Sequence, residues 1–174
     1  MATIDFSFGA PISLGPMVPG VGPGTGVVPA GIPPTSGLYA IHNTTTNNWY
    51  FGQAFNRYHR FDTRAQVVAE MGFDFRTISP INAYNLTTQC SDTGGVPHAA
   101  TTTGVIDGAS FNLEYVLILY MLHWANLPNA ATVSNSRVPS TCTNVSQNNI
   151  MITSDYGNPP VAFTGVTWQA GTSL

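Results

Sequence analysis

The residues best suited to chemistry lie in one stretch, from Gly37 to Arg64, with one acid further along the chain. The stretch contains Tyr39, Tyr50 and three of the five cations of a chain that has no lysine. Arginine grips a phosphate with a planar fork of N–H donors. A carboxylate such as Glu114 suits a hard divalent cation. The combination therefore points to recognition of a phosphate group.

Two short segments predict a β-hairpin that positions the tyrosines. LYAIHN and WYFGQA are rich in aromatic and branched residues, and TTTNN between them is a turn-forming cluster. Because side chains alternate along a strand, Tyr39 and Ile41 share a face of the first strand, and Tyr50 and Gly52 share a face of the second. A glycine at position 52 suits a place where another group approaches the backbone closely.

A helix is predicted over about residues 56–71, with Asn56 as its N-cap and Gly72 as its stop. Helical spacing predicts four core-facing residues: Tyr58, Phe61, Ala65 and Val68. Three arginines at i, i+3 and i+7 should form one adjacent stripe: Arg57, Arg60 and Arg64. Arg76, beyond the helix, is expected to add to this basic patch.

A second helix is predicted from about Phe111 to Asn126, with Ser110 as its N-cap. It is apolar nearly all round, so it should be buried, and it is too short to span a membrane. A carboxylate on such a helix is costly unless a metal ion or an arginine pairs with it. The alternative for Glu114 is a favourable charge near the helix N-terminus. His123 is expected to be a core residue.

These elements resemble the GIY-YIG endonuclease family. The GIY element corresponds to Gly37-Leu38-Tyr39 and the YIG element to Tyr50-Phe51-Gly52. The arginine of the family's first helix matches Arg60, and the glutamate of its later helix matches Glu114. The resemblance covers about residues 37–76 and 105–135.

Two family positions are less well matched. Some members carry a histidine four residues after the helix arginine, where this chain has Arg64. A polar residue, often asparagine, commonly follows the last helix in the family. Three residues are candidates for it, and the sequence leaves the choice open: Asn126, Asn129 and Asn135.

The resemblance implies an α+β fold with a small GIY-YIG-like domain. Its parts would be the β-hairpin, the first helix, a third strand near Gly104–Ile106 and the buried helix. Residues 1–36 would then form a Gly/Pro-rich arm or linker, residues 37–135 the nuclease domain, and residues 136–174 a polar C-terminal extension.

The same resemblance implies metal-dependent hydrolysis of phosphodiester bonds in DNA or RNA. Glu114 would hold one divalent cation, Mg²⁺, and Arg60 would grip the phosphate. One of Tyr39 and Tyr50 would help to deprotonate the attacking water while the other positions it. The residues expected to contact substrate are Arg57, Arg64, Gly52 and Arg76.

The regions outside the resemblance carry weaker signals. Gly and Pro supply 15 of the first 37 positions, so this segment is not expected to build a helix or a central strand, although MATIDFSF could be a short strand or a docking tag. Residues 73–104 look irregular. VAFTGVTW predicts a strand near the C-terminus. Cys90 and Cys142 lie in polar segments, which leaves their pairing open.

Composition narrows the setting in which such a chain works. Charged residues make up 7% of the chain and the net charge is −3, whereas a general coater of nucleic acid is basic. Any grip on nucleic acid must therefore be local. The low charge favours work outside an ordinary cytoplasm or inside a larger assembly, and residues 1–36 show no cleavable signal peptide.

Two settings follow from that composition. In the first, the chain is a nuclease toxin that is secreted or delivered into target cells, with a delivery machine and an immunity protein as partners. In the second, it is a non-catalytic structural subunit on the same fold that assembles into homo-oligomers. In that case Arg60 and Glu114 would form a buried ion pair.

Overall fold

The computed structural model describes residues 1–13, 30–63, 81–123, 132–135, 149–155 and 163–168, and it is a mixed α+β structure dominated by strands. The strands are β1 Ala2–Phe8, β2 Ile12–Ser13, β3 Gly37–Asn43, β4 Asn48–Ala54, β5 Ile81–Ser91, β6 Pro97–Ala100, β7 Thr103–Ile106, β8 Ala109–Asn112, β9 Thr132–Val133, β10 Ile150–Ser154 and β11 Phe163–Trp168. The helices are α1 Arg57–Thr63 and α2 Leu113–His123.

Nine of the described strands form one sheet in the order β11-β10-β1-β5-β3-β4-β9, with β2 and β6 also paired to β5. Strand β3 lies between β4 and β5 and is antiparallel to both. Strands β7 and β8 form a separate two-stranded sheet. Within the large sheet the hairpin of β3 and β4 therefore has a neighbouring strand on each side, β5 next to β3 and β9 next to β4.

The predicted hairpin is confirmed as β3 and β4, and its turn has a clear local cause. The side chain of Asn43 accepts hydrogen bonds from the backbone N–H groups of Thr45 and Thr46, at 3.0 and 3.1 Å. Asn47 takes a φ of 52°, which asparagine tolerates better than most residues. The resulting register pairs Tyr39 with Gly52.

The strand predicted near Gly104–Ile106 is present as β7, but it is not the strand beside the hairpin. Strand β5 takes that place, while β7 pairs with β8 outside the large sheet. Residues 73–104 are also less irregular than expected, because β5 and β6 lie within them. Cys90 is a buried, free thiol on β5 rather than a loop residue, and Cys142 lies outside the described residues.

The N-terminal segment contributes an interior strand, contrary to the expectation from its Gly and Pro content. Strand β1 lies between β5 and β10 and buries Ala2, Ile4 and Phe6. The first glycine comes only at position 9, so residues 2–8 alternate without a breaker. Strand β11 confirms the predicted C-terminal strand. Strands from all three predicted segments thus share one sheet.

Helix α2 is buried as predicted, although it begins later than expected. The side chain of Asn112 accepts a hydrogen bond from the Tyr115 N–H at 3.2 Å, so Asn112 rather than Ser110 is the N-cap. The reason is that Ser110 belongs to β8, which continues to Asn112. Neither described helix is long and apolar enough to cross a membrane. The side chain of His123 is outside the described part of the chain.

The burial of β1 makes a prediction about stability. Ile4→Ala removes a side chain that has no exposed surface, and we expect it to lower the free energy of unfolding by about 2–5 kcal/mol. Ser7→Ala, an exposed change on the same strand, should alter it by less than about 0.5 kcal/mol. Urea denaturation of both variants measures the difference. Equal stability of the two variants would show that β1 is a dispensable arm.

Candidate active site

Tyr39 and Tyr50 are diagonal neighbours on one face of the hairpin, since Tyr39 lies opposite Gly52 and Tyr50 opposite Ile41. Their ring centroids are 6.2 Å apart, and a side-chain hydrogen bond joins them. Tyr39 is only 2% exposed, whereas Tyr50 is partly exposed. Phe61 of α1 packs edge-on against the Tyr39 ring, with centroids 5.2 Å apart. Tyr39 is therefore the fixed member of the pair, and Tyr50 is the member that reaches solvent.

Gly52 is the residue that makes room for Tyr39. A Cβ atom at position 52 would lie 2.5 Å from both Cζ and Oη of Tyr39, which is far inside van der Waals contact. The prediction that another group approaches this glycine closely is confirmed, and that group is the tyrosine ring. Gly52 was expected to contact substrate, but its backbone is covered by Tyr39 and buried.

The side chain of Arg57 does not belong to the predicted basic stripe, because it is buried and bonded to the main chain. It is 8% exposed. Its guanidinium donates to the carbonyl oxygens of Thr35 and Leu38, each at 3.3 Å, and to the Thr35 hydroxyl at 2.9 Å. A Cβ atom at Gly37 would lie 3.0 Å from Arg57 Cζ, so the first residue of the GLY motif makes space for this side chain. We assign Arg57 a structural role rather than the expected contact with substrate.

The start of α1 sets the direction of the next arginine. Asn56 caps the helix as predicted, since its Oδ1 accepts from the His59 N–H at 2.9 Å. With Arg57 and Phe61 directed inward, Tyr58 points outward and is 45% exposed, so its predicted burial is wrong. Ala65 and Val68 lie outside the described residues.

Arg60 lies on α1, next to the end of β4. Its Nη2 donates to the Gln53 carbonyl oxygen at 3.3 Å, which fixes the guanidinium near the end of β4. The side chain is partly exposed, and its charge acts on both Tyr39 and Glu114. Arg60 is the residue that the sequence analysis expects to grip a phosphate, and that role stays a prediction.

Glu114 lies in the first turn of α2 and is partly buried. Burial raises the pKa of its carboxyl group, while the positive charge of Arg60 lowers it. Among the described residues the one ion pair joins Asp92 and His98 at 2.7 Å, so Arg60 and Glu114 are close without direct contact. The buried ion pair expected for a purely structural role is therefore not formed.

The Tyr39 hydroxyl is held in its neutral form. Burial raises the pKa of Tyr39, and the neighbouring Tyr50 and Glu114 raise it further, while Arg60 opposes them. We expected the arginines to favour a tyrosine anion, but for Tyr39 desolvation outweighs them. The neutral Tyr39 hydroxyl is suited to donating a hydrogen bond. Tyr50 is partly exposed, so it is the tyrosine of this pair that can contact a solvent molecule.

Of the remaining candidate residues, Asn135 has a structural role, and the others lie outside the described residues. The amide of Asn135 donates to the Phe51 carbonyl at 2.6 Å and accepts from the Phe51 N–H at 3.0 Å. Asn135 thus satisfies the backbone of β4 beyond the two residues of β9. Four candidates lie outside the described residues: Arg64, Arg76, Asn126 and Asn129.

The described residues offer one carboxylate near Arg60, that of Glu114, for the divalent cation that the resemblance implies. Among the described residues no three His, Cys, Asp or Glu side chains form a group that could enclose a metal ion. Mg²⁺ does not require such a group, because it commonly keeps several waters and binds one or two carboxylates together with substrate phosphates. The partly buried carboxylate of Glu114, with no ion-pair partner within the described residues, fits that pattern.

Comparisons with known proteins add no relative. No protein-family model matches the chain, and searches of curated proteins and of solved structures found no match.

The partly buried carboxylate of Glu114 makes a prediction about pH. Its pKa is higher in the folded chain than the ordinary value of 4.5, so the folded state holds this proton more tightly than the unfolded state does. Stability from this group is therefore lost as pH rises from about 4.5 through the raised pKa. Glu114→Gln removes that loss.

We expect the melting temperature of Glu114→Gln to equal or exceed that of the unchanged protein at pH 7. This advantage should shrink toward pH 4, where both side chains are neutral. Asp107→Asn is the matched control, because Asp107 is exposed and its left-handed φ of 49° is one that asparagine tolerates. The Asp107 carboxylate accepts from the Thr93 N–H at 3.1 Å and from the Thr93 hydroxyl at 2.6 Å, and the asparagine oxygen can keep the first of these bonds. A marked loss of stability in Glu114→Gln at pH 7, absent from the control, would mean that the carboxylate is a structural partner.

Proposed function

We propose that this protein is a metal-dependent nuclease of the GIY-YIG type. The observation that carries the proposal is the convergence of four side chains from four separate elements: Tyr39 of β3, Tyr50 of β4, Arg60 of α1 and Glu114 of α2. A core requires none of these polar groups at this point. A phosphodiester site has a use for each of them: a base, a phosphate-binding cation and a metal ligand.

The order of elements around the site also supports this assignment. The GLY strand β3 is flanked by the YFG strand β4 on one side and by β5 on the other. Helix α1 follows the hairpin, and α2 belongs to the same apolar cluster as Trp49 and Phe51 of β4. The other six strands of the large sheet extend it on either side of these three strands: β1, β2, β6, β9, β10 and β11.

Each side chain takes a role that its surroundings favour. Tyr39, neutral and buried, donates a hydrogen bond to Tyr50, and this bond stabilises negative charge on the Tyr50 oxygen. Tyr50, as the phenolate, takes a proton from the attacking water, and the resulting hydroxide attacks phosphorus as the bond to the leaving oxygen breaks. Arg60 binds the phosphate oxygens and stabilises their charge in the transition state.

Glu114 is the residue that would hold Mg²⁺. When bound, the ion supplies Lewis-acid stabilisation of charge on the phosphate and the leaving oxygen. The chain's own contribution is to keep the carboxylate near Arg60 but apart from it, so that both remain available to substrate.

Plasmid cleavage tests the proposal. The purified protein should nick or linearise plasmid DNA, or degrade RNA, in Mg²⁺ and lose this activity in EDTA. Glu114→Gln and Arg60→Ala should each reduce the rate by about 100-fold or more, because each removes several kcal/mol of charge stabilisation. Asp107→Asn, an acid-to-amide change at an exposed site, should leave the rate unchanged.

Full cleavage in Glu114→Gln, or cleavage that is indifferent to EDTA, would contradict the assignment. Wild-type protein that cleaves no nucleic acid but forms large regular particles would favour the assembly subunit instead. Measuring light scattering on the same preparation separates these outcomes.

We further propose that the nuclease is delivered into other cells as a toxin. Its support is the low charge, 7% of residues, and the complete lack of lysine, which are unusual for a nucleic-acid enzyme working among its own cell's DNA. A delivery machine and an immunity protein would be its partners.

Expression in a bacterium tests the toxin proposal. The full chain should arrest growth and degrade nucleic acid, and the double change Arg60→Ala, Glu114→Ala should relieve both effects. The full chain is needed because β1 is an interior strand of the sheet. High-level expression of folded wild-type protein without harm, and without an immunity partner, would rule out delivery as a nuclease toxin.

A further inference from the structure

Two aromatic side chains are exposed where β4 leads into α1. Phe55 is 91% exposed and Tyr58 is 45% exposed. The other large apolar side chains that are exposed within the described residues are at most 57% exposed, so Phe55 stands apart from them. Together, Phe55 and Tyr58 are called the junction aromatics below.

The packing of α1 explains why these rings face solvent. Arg57 and Phe61 both point inward, Arg57 to the backbone of residues 35–38 and Phe61 to Tyr39. With those two residues inward, the intervening Tyr58 must point away from the sheet. Phe55 precedes the N-cap Asn56 and packs on no core cluster. Their exposure is thus imposed by the same contacts that place Arg60.

The junction aromatics lie beside the arginine of the candidate site. The guanidinium of Arg60 donates to the carbonyl oxygen of Gln53, two residues before Phe55, at 3.3 Å. Two residues of extended chain span no more than about 7 Å. A strand whose phosphate meets Arg60 therefore has its neighbouring bases within reach of Phe55.

We propose that the junction aromatics stack on unpaired bases of the strand being cut, so that the preferred substrate is single-stranded or locally unpaired nucleic acid. This inference rests on the proposed nuclease function and specifies its substrate class. Stacking needs no charge and tolerates any base, because every base has a π-face. Such binding suits a chain of net charge −3 without lysine.

Duplex nucleic acid is the poorer match for this surface. Paired and stacked bases do not offer their faces to a protein ring, so duplex binding here would depend on phosphate contacts alone. Phosphate contacts weaken steeply with salt, and the described residues near the junction supply Arg60 as the one accessible arginine. Single-strand binding should accordingly survive salt better than duplex binding.

The test is fluorescence anisotropy in the Glu114→Gln background, in which cleavage is expected to be slow enough for binding to be measured. Three labelled DNA probes of about 12 nucleotides are compared: a mixed-sequence single strand, its duplex and an abasic single strand. We expect the single strand to bind at least about 10-fold more tightly than either other probe, since each stacked base contributes about 5- to 150-fold. Changing Phe55 and Tyr58 together to alanine should abolish this preference while duplex binding remains.

A matched control keeps the result specific to this surface. Val96→Ala with Val105→Ala removes two exposed apolar side chains, 55% and 41% exposed, elsewhere in the molecule. This control should retain the single-strand preference. Equal binding of all three probes by the protein with Phe55 and Tyr58 intact would overturn the proposal. A preference for the single strand that survives the change of both residues to alanine would also overturn it. So would concentration-dependent dimerisation that is lost with the aromatics, because it would show that a second copy covers them.

The two proposals fail in different ways. If plasmid cleavage is EDTA-sensitive and the alanine pair leaves cleavage of single strands and duplexes unchanged, the nuclease assignment holds and the stacking proposal is wrong. If single strands bind through the aromatics but nothing is cut, the stacking surface holds and the nuclease assignment is wrong.

Discussion

The candidate site depends on the packing of the Tyr39 ring against Gly52, a residue without a side chain. Tyr39 lies across Gly52, at a place where a Cβ atom would come within 2.5 Å of the ring. This packing buries Tyr39, keeps it neutral and sets its contacts with Tyr50 and Phe61. The glycine thus allows the two hairpin strands to carry an interacting tyrosine pair, and α1 is docked against that pair.

Two arginines about one turn apart on α1 have different surroundings, one buried against the backbone and one partly exposed. The Arg57 guanidinium donates hydrogen bonds to the carbonyl oxygens of Thr35 and Leu38 and to the Thr35 hydroxyl. Gly37 has no side chain that would occupy this space. Because Arg57 is committed to the backbone, the helix is held at a fixed rotation, and Arg60 is presented beside Gln53 with part of its surface exposed. The low overall charge of the chain makes this local placement more important than any general attraction to phosphate.

The parts of the fold that follow from local signals were predictable. The hairpin was marked by its turn residues, α1 by its Asn56 cap, and α2 by a long apolar run interrupted at Glu114. The missed strands depend on long-range pairing. Strand β5 mixes Asn and Thr with apolar residues, so its exposed face made it look like a loop, and β1 was hidden by the glycines and prolines that follow it.

The errors within the site have a similar physical origin. Periodicity places an arginine on the solvent side by default, and only the folded structure shows that the Arg57 guanidinium donates to the carbonyl oxygens of Thr35 and Leu38 and is buried there. The tyrosine that stays neutral could not be chosen from spacing, because desolvation depends on the packing of Phe61 and Gly52 around Tyr39.

The central claim is that Glu114 holds a divalent cation within reach of Arg60 and the tyrosine pair. Anomalous diffraction from crystals grown with Mn²⁺ and a non-cleavable phosphorothioate oligonucleotide tests it most directly. The account predicts one manganese peak within bonding distance of a Glu114 carboxylate oxygen, with the scissile phosphate between that ion and Arg60. A phosphate bound elsewhere on the protein, or a well-ordered Glu114 carboxylate paired with Arg60 and carrying no ion, would contradict it.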